Sequence, residues 1–187
     1  MPALDKRFLL ALDDDYSKYP IFIETGTYLG ETIFNLEPFF SKLHTIDIVD
    51  KFYVSAMKRY KGKKIHFHLG DSFKVLNSIL KNIDDKSIIF LDAHYSAGNT
   101  GKGDKDVPLY EELYEIMTYH KKEAIVIIDD VRLFGRGPTY NNELVNWEHV
   151  DVNNILKIVG DRHVTNYFLP SELHPYDRLV IHLSSIQ

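Results

Sequence analysis

Short apolar runs alternate with amphipathic stretches along most of the chain. The run 20–24 (Pro-Ile-Phe-Ile-Glu) predicts a first strand, and 27–40 a helix after it. Further strands are expected at 43–48, 64–69, 87–92 and 124–129, with helices at 51–60, 72–81 and 107–122 between them. In the last of these helices Leu109, Leu113, Ile116 and Met117 form an apolar stripe at helical spacing. Pro108 suits its first turn; Glu111 and Glu112 stand near its start and Lys121 and Lys122 near its end, complementing the helix dipole. One more helix is expected at 152–159, then strands at 164–169 and 178–183.

Strands that alternate with helices predict a parallel sheet covered on both faces. The fourth and fifth strands are apolar throughout, as doubly buried strands are. The link 170–175 is too short for a helical crossover, so the last two strands should pair antiparallel. The expected fold is a single α/β domain over residues 1–187. It is a Rossmann-like, doubly wound, seven-stranded sheet, mostly parallel with one antiparallel strand near the C-terminus.

Composition narrows the chemistry. With 44% hydrophobic and 26% charged residues the chain is globular rather than disordered. Its 27 acids and 22 bases give a net charge of −5, which disfavours a nucleic-acid partner. The densest basic stretch, Lys58, Arg59, Lys61, Lys63 and Lys64, reads as a solvated helix end. Cysteine is absent, which excludes disulfides, thiolate metal sites and thiol nucleophiles. No apolar run approaches the roughly 18 residues of a membrane helix, and residues 1–10 lack a signal-peptide core. A cytoplasmic protein without membrane insertion is the expectation.

In an open parallel sheet, ligands bind outside the carboxyl ends of the strands. Glu24, Asp47, Asp71, Asp92 and the pair Asp129-Asp130 stand at or just beyond successive predicted strand ends. One such acid is unremarkable, because aspartate caps turns; a row of them points to a site. The first turn, Glu24-Thr25-Gly26-Thr27-Tyr28-Leu29-Gly30, is E-x-G-x-x-x-G rather than the G-x-G-x-x-G of a dinucleotide site. An acid there repels a pyrophosphate and can hold an ammonium. Asp47, about twenty residues on, suits ribose hydroxyls. The implied ligand is a nucleoside with a cationic amino-acid tail.

These residues resemble the class I S-adenosylmethionine-dependent methyltransferases over nearly the whole chain. Glu24, Thr25, Gly26, Thr27 and Gly30 match the motif that lines the methionine part of S-adenosyl-L-methionine. Asp47 matches the ribose-holding acid, and the stretch with Asp71 and Ser72 is similar to the adenine contact. Leu91-Asp92-Ala93-His94 with Ile128-Asp129-Asp130 resembles the metal-dependent O-methyltransferases of the branch that includes sugar and macrolide-sugar enzymes. The resemblance implies an Mg²⁺ centre held by Asp92, Asp129 and Asp130, with Asp92 also beside the cofactor. It further implies a coordinated sugar hydroxyl and a base, His94 or Asp92, to take its proton.

The glycine-rich segment 95–106 reads as a mobile acceptor loop. Together with Pro108-Leu109-Tyr110-Glu111-Glu112-Leu113 it is similar to methyltransferases of polysaccharide-modifying proteins, which favours a sugar or glycan acceptor. In the loop 132–142, Arg132, Arg136 and Tyr140 can contact a sugar or its phosphate. At 187 residues there is little room for an acceptor domain. A homo-oligomer, a partner subunit or a larger glycan-assembly protein would complete the acceptor site. Three other readings stay open: a metal-independent O-methyltransferase with His94 as base, a nucleotide-sugar oxidoreductase or epimerase, and a non-catalytic interaction module. The missing G-x-G-x-x-G counts against the oxidoreductase.

Overall fold

The computed structural model describes residues 3–94, 103–137 and 145–186. Its strands are β1 (Ile21–Thr25), β2 (Lys42–Asp47), β3 (Ile65–Leu69), β4 (Ser87–Leu91), β5 (Ala124–Ile128), β6 (His163–Leu169) and β7 (Arg178–Leu183). They form one seven-stranded sheet in the order β3-β2-β1-β4-β5-β7-β6. The β1 to β5 pairings are parallel; β7 runs antiparallel to both β5 and β6. This is the expected sheet.

The helices are α1 (Lys6–Leu10), α2 (Glu31–Leu36), α3 (Asp50–Arg59), α4 (Ser72–Leu80), α5 (Leu109–Tyr119) and α6 (Val152–Val159). Period-2 alternation in the strands divides the core between the two faces of the sheet. Ile23, Ile46, Ile89, Val126 and Ile181 pack with α4, α5 and α6. Phe22, Leu43, Ile88, Ile127 and Val180 pack with α1 and α2 on the other side. Each such side chain, fully buried, contributes about 1.5–3 kcal/mol.

Three local expectations need correction. The helix expected from 27 begins only at Glu31 and gives way to a 3₁₀ turn at Glu37–Phe39. Gly26, Tyr28 and Gly30 take positive φ (88°, 46° and 77°), so the turn is longer than the polarity pattern suggests. Pro38 lies at the start of the 3₁₀ turn. The helix α5 is shorter at both ends than 107–122, with Pro108 at its N-cap rather than inside it. The short α1, capped by Asp5 accepting from Phe8 N at 3.1 Å, was not anticipated. Among the described residues, no helix is long and apolar enough to cross a membrane.

The ladder continues past the strand ends. Gly70 N donates to Asp47 O (2.9 Å), Gly26 N to Ile46 O (2.8 Å), Asp92 N to Thr25 O (3.2 Å) and Asp129 N to Leu91 O (3.2 Å). Four loops are thereby pulled into line at one edge of the sheet. These bonds set the floor of a cleft.

Candidate active site

The cleft has an empty volume of about 540 Å³, counting its open side. Gly26, Asp47, Asp71, Ser72, Asp92 and His94 are among its walls. Its tightest point is Gly26. A Cβ there would lie 2.4 Å from the carbonyl oxygen of Asp92, so only glycine lets β1 and β4 approach this closely.

Asp47 is held rigidly. Its carboxylate accepts from Tyr28 N and Val49 N, each at 2.7 Å. Burial pushes its carboxyl above the ordinary range, against the pull of those N–H groups. Asp71, at the N-cap of α4, makes no capping bond; its carboxylate faces Lys74 at 3.8 Å and the Asp104 N–H at 3.4 Å. Gly103 lies against Asp71 and Ile48, so the chain returning toward α5 covers this end of the cleft.

Glu24 lies at the carboxyl end of β1, as expected, and is deeply buried. It is 1% exposed and absent from the cleft walls. Parallel register sets Glu24 opposite Thr45, whose hydroxyl donates to Glu24 Oε1 at 2.7 Å. Thr45 Oγ1 also meets Thr27 Oγ1 at 2.5 Å. Glu24 is therefore tied to the turn through Thr45 and Thr27. Thr25 turns inward, its Oγ1 accepting from Asp92 N at 3.2 Å. Gly30 serves as the left-handed N-cap of α2.

Burial drives the Glu24 carboxyl up to about 8, against the Thr45 hydrogen bond. A folded value above the unfolded one favours the protonated folded state. Its stabilisation is complete below the unfolded value of 4.5 and is lost as pH rises through about 8. Glu24→Gln is therefore expected to flatten the fall in unfolding free energy between pH 5 and 8.5, by on the order of a few kcal/mol. Denaturant titrations at both pH values check this; an unchanged pH slope would contradict the assignment.

Beyond β4 and β5, Asp92, His94 and Asp130 each offer a ligand atom within 4.8 Å of the other two. His94 Nε2 ion-pairs with Asp130, and its Nδ1 lies 3.8 Å from Asp92 Oδ1. Asp130 adopts a left-handed conformation (φ 60°) that turns its carboxylate to His94 and Arg132. Arg132 also pairs with the fully buried Asp177 at 2.6 Å. Asp129 faces Arg178, Oδ1 to Nε at 3.3 Å.

The expected ligand set thus divides. Asp92 and Asp130 converge with His94, while Asp129 falls in a second group with Asp130 and Asp177. Arg132, one of the expected sugar contacts, is committed to Asp130 and Asp177, and Arg136 is exposed. Tyr140, and residues 95–102 of the expected acceptor loop, lie outside the described residues.

Electrostatics follows from this crowding. Burial, then repulsion from Asp129, Asp130 and Glu24, pushes Asp92 well above the usual carboxylate range. Burial raises Asp129 to about 6 against the pull of Arg178. Burial acts the same way on Asp130, but His94 and Arg132 outweigh it and hold Asp130 at about 2. Burial alone would depress His94; Asp130 overcomes that and raises it. Asp92 Oδ1 and Asp129 Oδ2 are buried without a hydrogen-bond partner among the described residues. Unpartnered buried carboxylate oxygens call for a cation or a donor.

Two features escaped the sequence reading. Glu112 is buried on α5 beside Leu109, Leu113 and Ile116. Its signal was available: position 112 belongs to the apolar stripe and carries an acid. On β2 and β3, His44 stacks between His66 and His68, with ring centroids 5.1 and 5.3 Å apart, and His44 Nδ1 meets His68 Nε2 at 3.0 Å. Cross-strand register brings them together, and spacing within β3 shows only two of the three.

No family model matches the chain, and no curated protein is similar to it in sequence. Solved structures are. The O-methyltransferase TomG of Streptomyces achromogenes, involved in tomaymycin synthesis and solved with SAM, superposes with a TM-score of 0.64 at 17% identity, covering 91% of this chain and 75% of TomG. The N-methyltransferase NodS of Bradyrhizobium japonicum gives 0.60 at 14% identity, covering 97% and 94%. Human N-acetylserotonin methyltransferase, also with SAM, gives 0.57 at 17%, covering 95% of this chain and 50% of the human one. The fold is that of the class I methyltransferases.

Proposed function

We propose that the chain is an S-adenosylmethionine-dependent O-methyltransferase acting on a sugar hydroxyl, assisted by a divalent cation. One observation carries this reading: Asp92 and His94 belong both to the cleft wall and to the cluster with Asp130. A ligand in the cleft and an acceptor at the cluster would therefore meet. The neighbours TomG and N-acetylserotonin methyltransferase, each solved with SAM, support the cofactor.

The bound cofactor would supply a methyl group on a sulfonium, ready for in-line attack. Gly26 lets the backbone approach its amino-acid end. Asp47, fixed by two N–H donors, presents its remaining lone pairs to the ribose. Asp71 and Ser72 border the base, and Ile48, half exposed, offers it an apolar face. With a cation bound, Asp92 would take the proton of the attacking hydroxyl through the carboxylate oxygen not engaged by the ion; without one, His94 would take it.

The donor set fits a divalent cation, which would lower the hydroxyl's pKa. Asp92, His94 and Asp130 would hold it, with Asp129 nearby but paired to Arg178. Two carboxylates and an imidazole suit Mn²⁺ at least as well as the Mg²⁺ of the sequence resemblance. The sugar acceptor rests on the likeness of 91–96 and 108–113 to methyltransferases of polysaccharide-modifying proteins. A metal-free variant is the second reading: His94 paired with Asp130 resembles a base oriented by an acid.

The test uses labelled S-adenosylmethionine with a panel of nucleotide sugars and oligosaccharides, with Mn²⁺, Mg²⁺ or EDTA. Transfer to a sugar, reduced at least about tenfold in EDTA, is expected. Undiminished transfer in EDTA would favour His94 acting without metal. Transfer only to non-sugar hydroxyls would contradict the acceptor class.

A further inference from the structure

We infer that a small chamber behind His94 belongs to the site, and that Glu112 is a positioning residue there, holding a water that steadies Asp129 beside the cation ligands. The inference rests on the cation-assisted reading above. Glu112, His94, Asp129 and Trp147 are among the chamber walls, the remainder being largely apolar. Its interior accommodates about one water-sized oxygen.

Two carboxyl oxygens in its lining, Glu112 Oε1 and Asp129 Oδ2, are buried without a hydrogen-bond partner among the described residues. Glu112 itself is 1% exposed. Each unpartnered buried group carries a desolvation penalty. A leucine at position 112 would continue the stripe of Leu109, Leu113 and Ile116 without that penalty. A water that donates to both acids satisfies them at once and fixes Asp129, whose charge acts on the ligand Asp92.

The neighbours of Glu112 reinforce this placement. The hydroxyls of Ser72 and Thr25 flank it, and His94 pulls its carboxyl down electrostatically against the effect of burial. Trp147 packs edge-on to the His94 ring at 4.9 Å, closing the chamber from the other side. His94 is thus held between an aromatic wall, Asp130 and the polar chamber. Metal-bound or metal-facing side chains depend on such outer partners for their orientation, and losing one weakens metal binding about 10- to 100-fold.

The experiment titrates Mn²⁺ alone into the wild type, Glu112→Gln and Glu112→Leu by calorimetry, with thermal melts of the same samples. Glu112→Leu is expected to bind Mn²⁺ at least about tenfold more weakly while melting no lower than the wild type. Glu112→Gln keeps an acceptor oxygen and should recover part of the loss; it also carries the test if the leucine variant does not fold. Wild-type Mn²⁺ binding that both variants match within twofold would overturn the inference and leave the cation reading standing. Absence of wild-type binding at millimolar Mn²⁺ would overturn the cation reading and this inference with it.

Discussion

Gly26→Ala should abolish measurable binding of S-adenosylhomocysteine and destabilise the fold. Two physical effects combine at this position. The residue has φ 88°, where an L side chain is strained. The new Cβ would also stand 2.4 Å from the Asp92 carbonyl oxygen, a backbone atom that cannot rotate away. Relief requires β1 and β4 to separate at their carboxyl ends, displacing Asp92 and widening the cleft. A loss of about 2–4 kcal/mol in unfolding free energy is expected. Affinity should fall more than about 100-fold, since geometry at the closest backbone approach is lost. Calorimetry and a thermal melt on one sample check both. Wild-type affinity in this variant would move the ligand out of the cleft.

Asp92→Asn is expected to act in opposite directions on stability and activity. Asp92 is buried among Glu24, Asp129 and Asp130, and burial together with that repulsion raises its carboxyl. Asparagine has nearly the same shape and no charge. It should raise the unfolding free energy at pH 8 by about 1–2 kcal/mol, because a carboxyl raised on folding costs stability as pH climbs above the unfolded carboxylate range and asparagine does not. In the proposed mechanism the same change removes a proton acceptor and a cation ligand. Methyl transfer should drop at least about 100-fold. Melting curves at pH 8 and initial rates decide the matter together. A variant both less stable and fully active would contradict the place given to Asp92.

Much of this architecture was legible in sequence, for reasons tied to particular segments. Continuous apolar runs such as Ile125-Val126-Ile127-Ile128 can be satisfied only between two covering layers, which fixed β5 as an inner strand. The short 170–175 link dictated the antiparallel β6–β7 pair. The acids after β2, β3, β4 and β5 were visible because a sheet places every strand end at one edge.

What stayed hidden depended on torsions and on partners distant in sequence. The Thr45 hydroxyl that Glu24 accepts from is 21 residues away in sequence and is set opposite it only by the β1–β2 register. The left-handed conformation of Asp130 divides it from Asp129, so adjacent acids serve different groupings. Arg132 and Asp177 are 45 residues apart and meet only through the fold. His44 joins His66 and His68 across two strands.

The cleft at the ends of β1, β2 and β4 is expected to bind the methyl-donor nucleoside. The most direct test is calorimetric titration of the wild type and Asp47→Ala with S-adenosylhomocysteine in EDTA, then in excess Mg²⁺. Micromolar binding in both buffers, lost in Asp47→Ala with the fold intact, is the expected result. Absence of binding to the wild type in either buffer would contradict it and leave a methyltransferase fold acting as an interaction module.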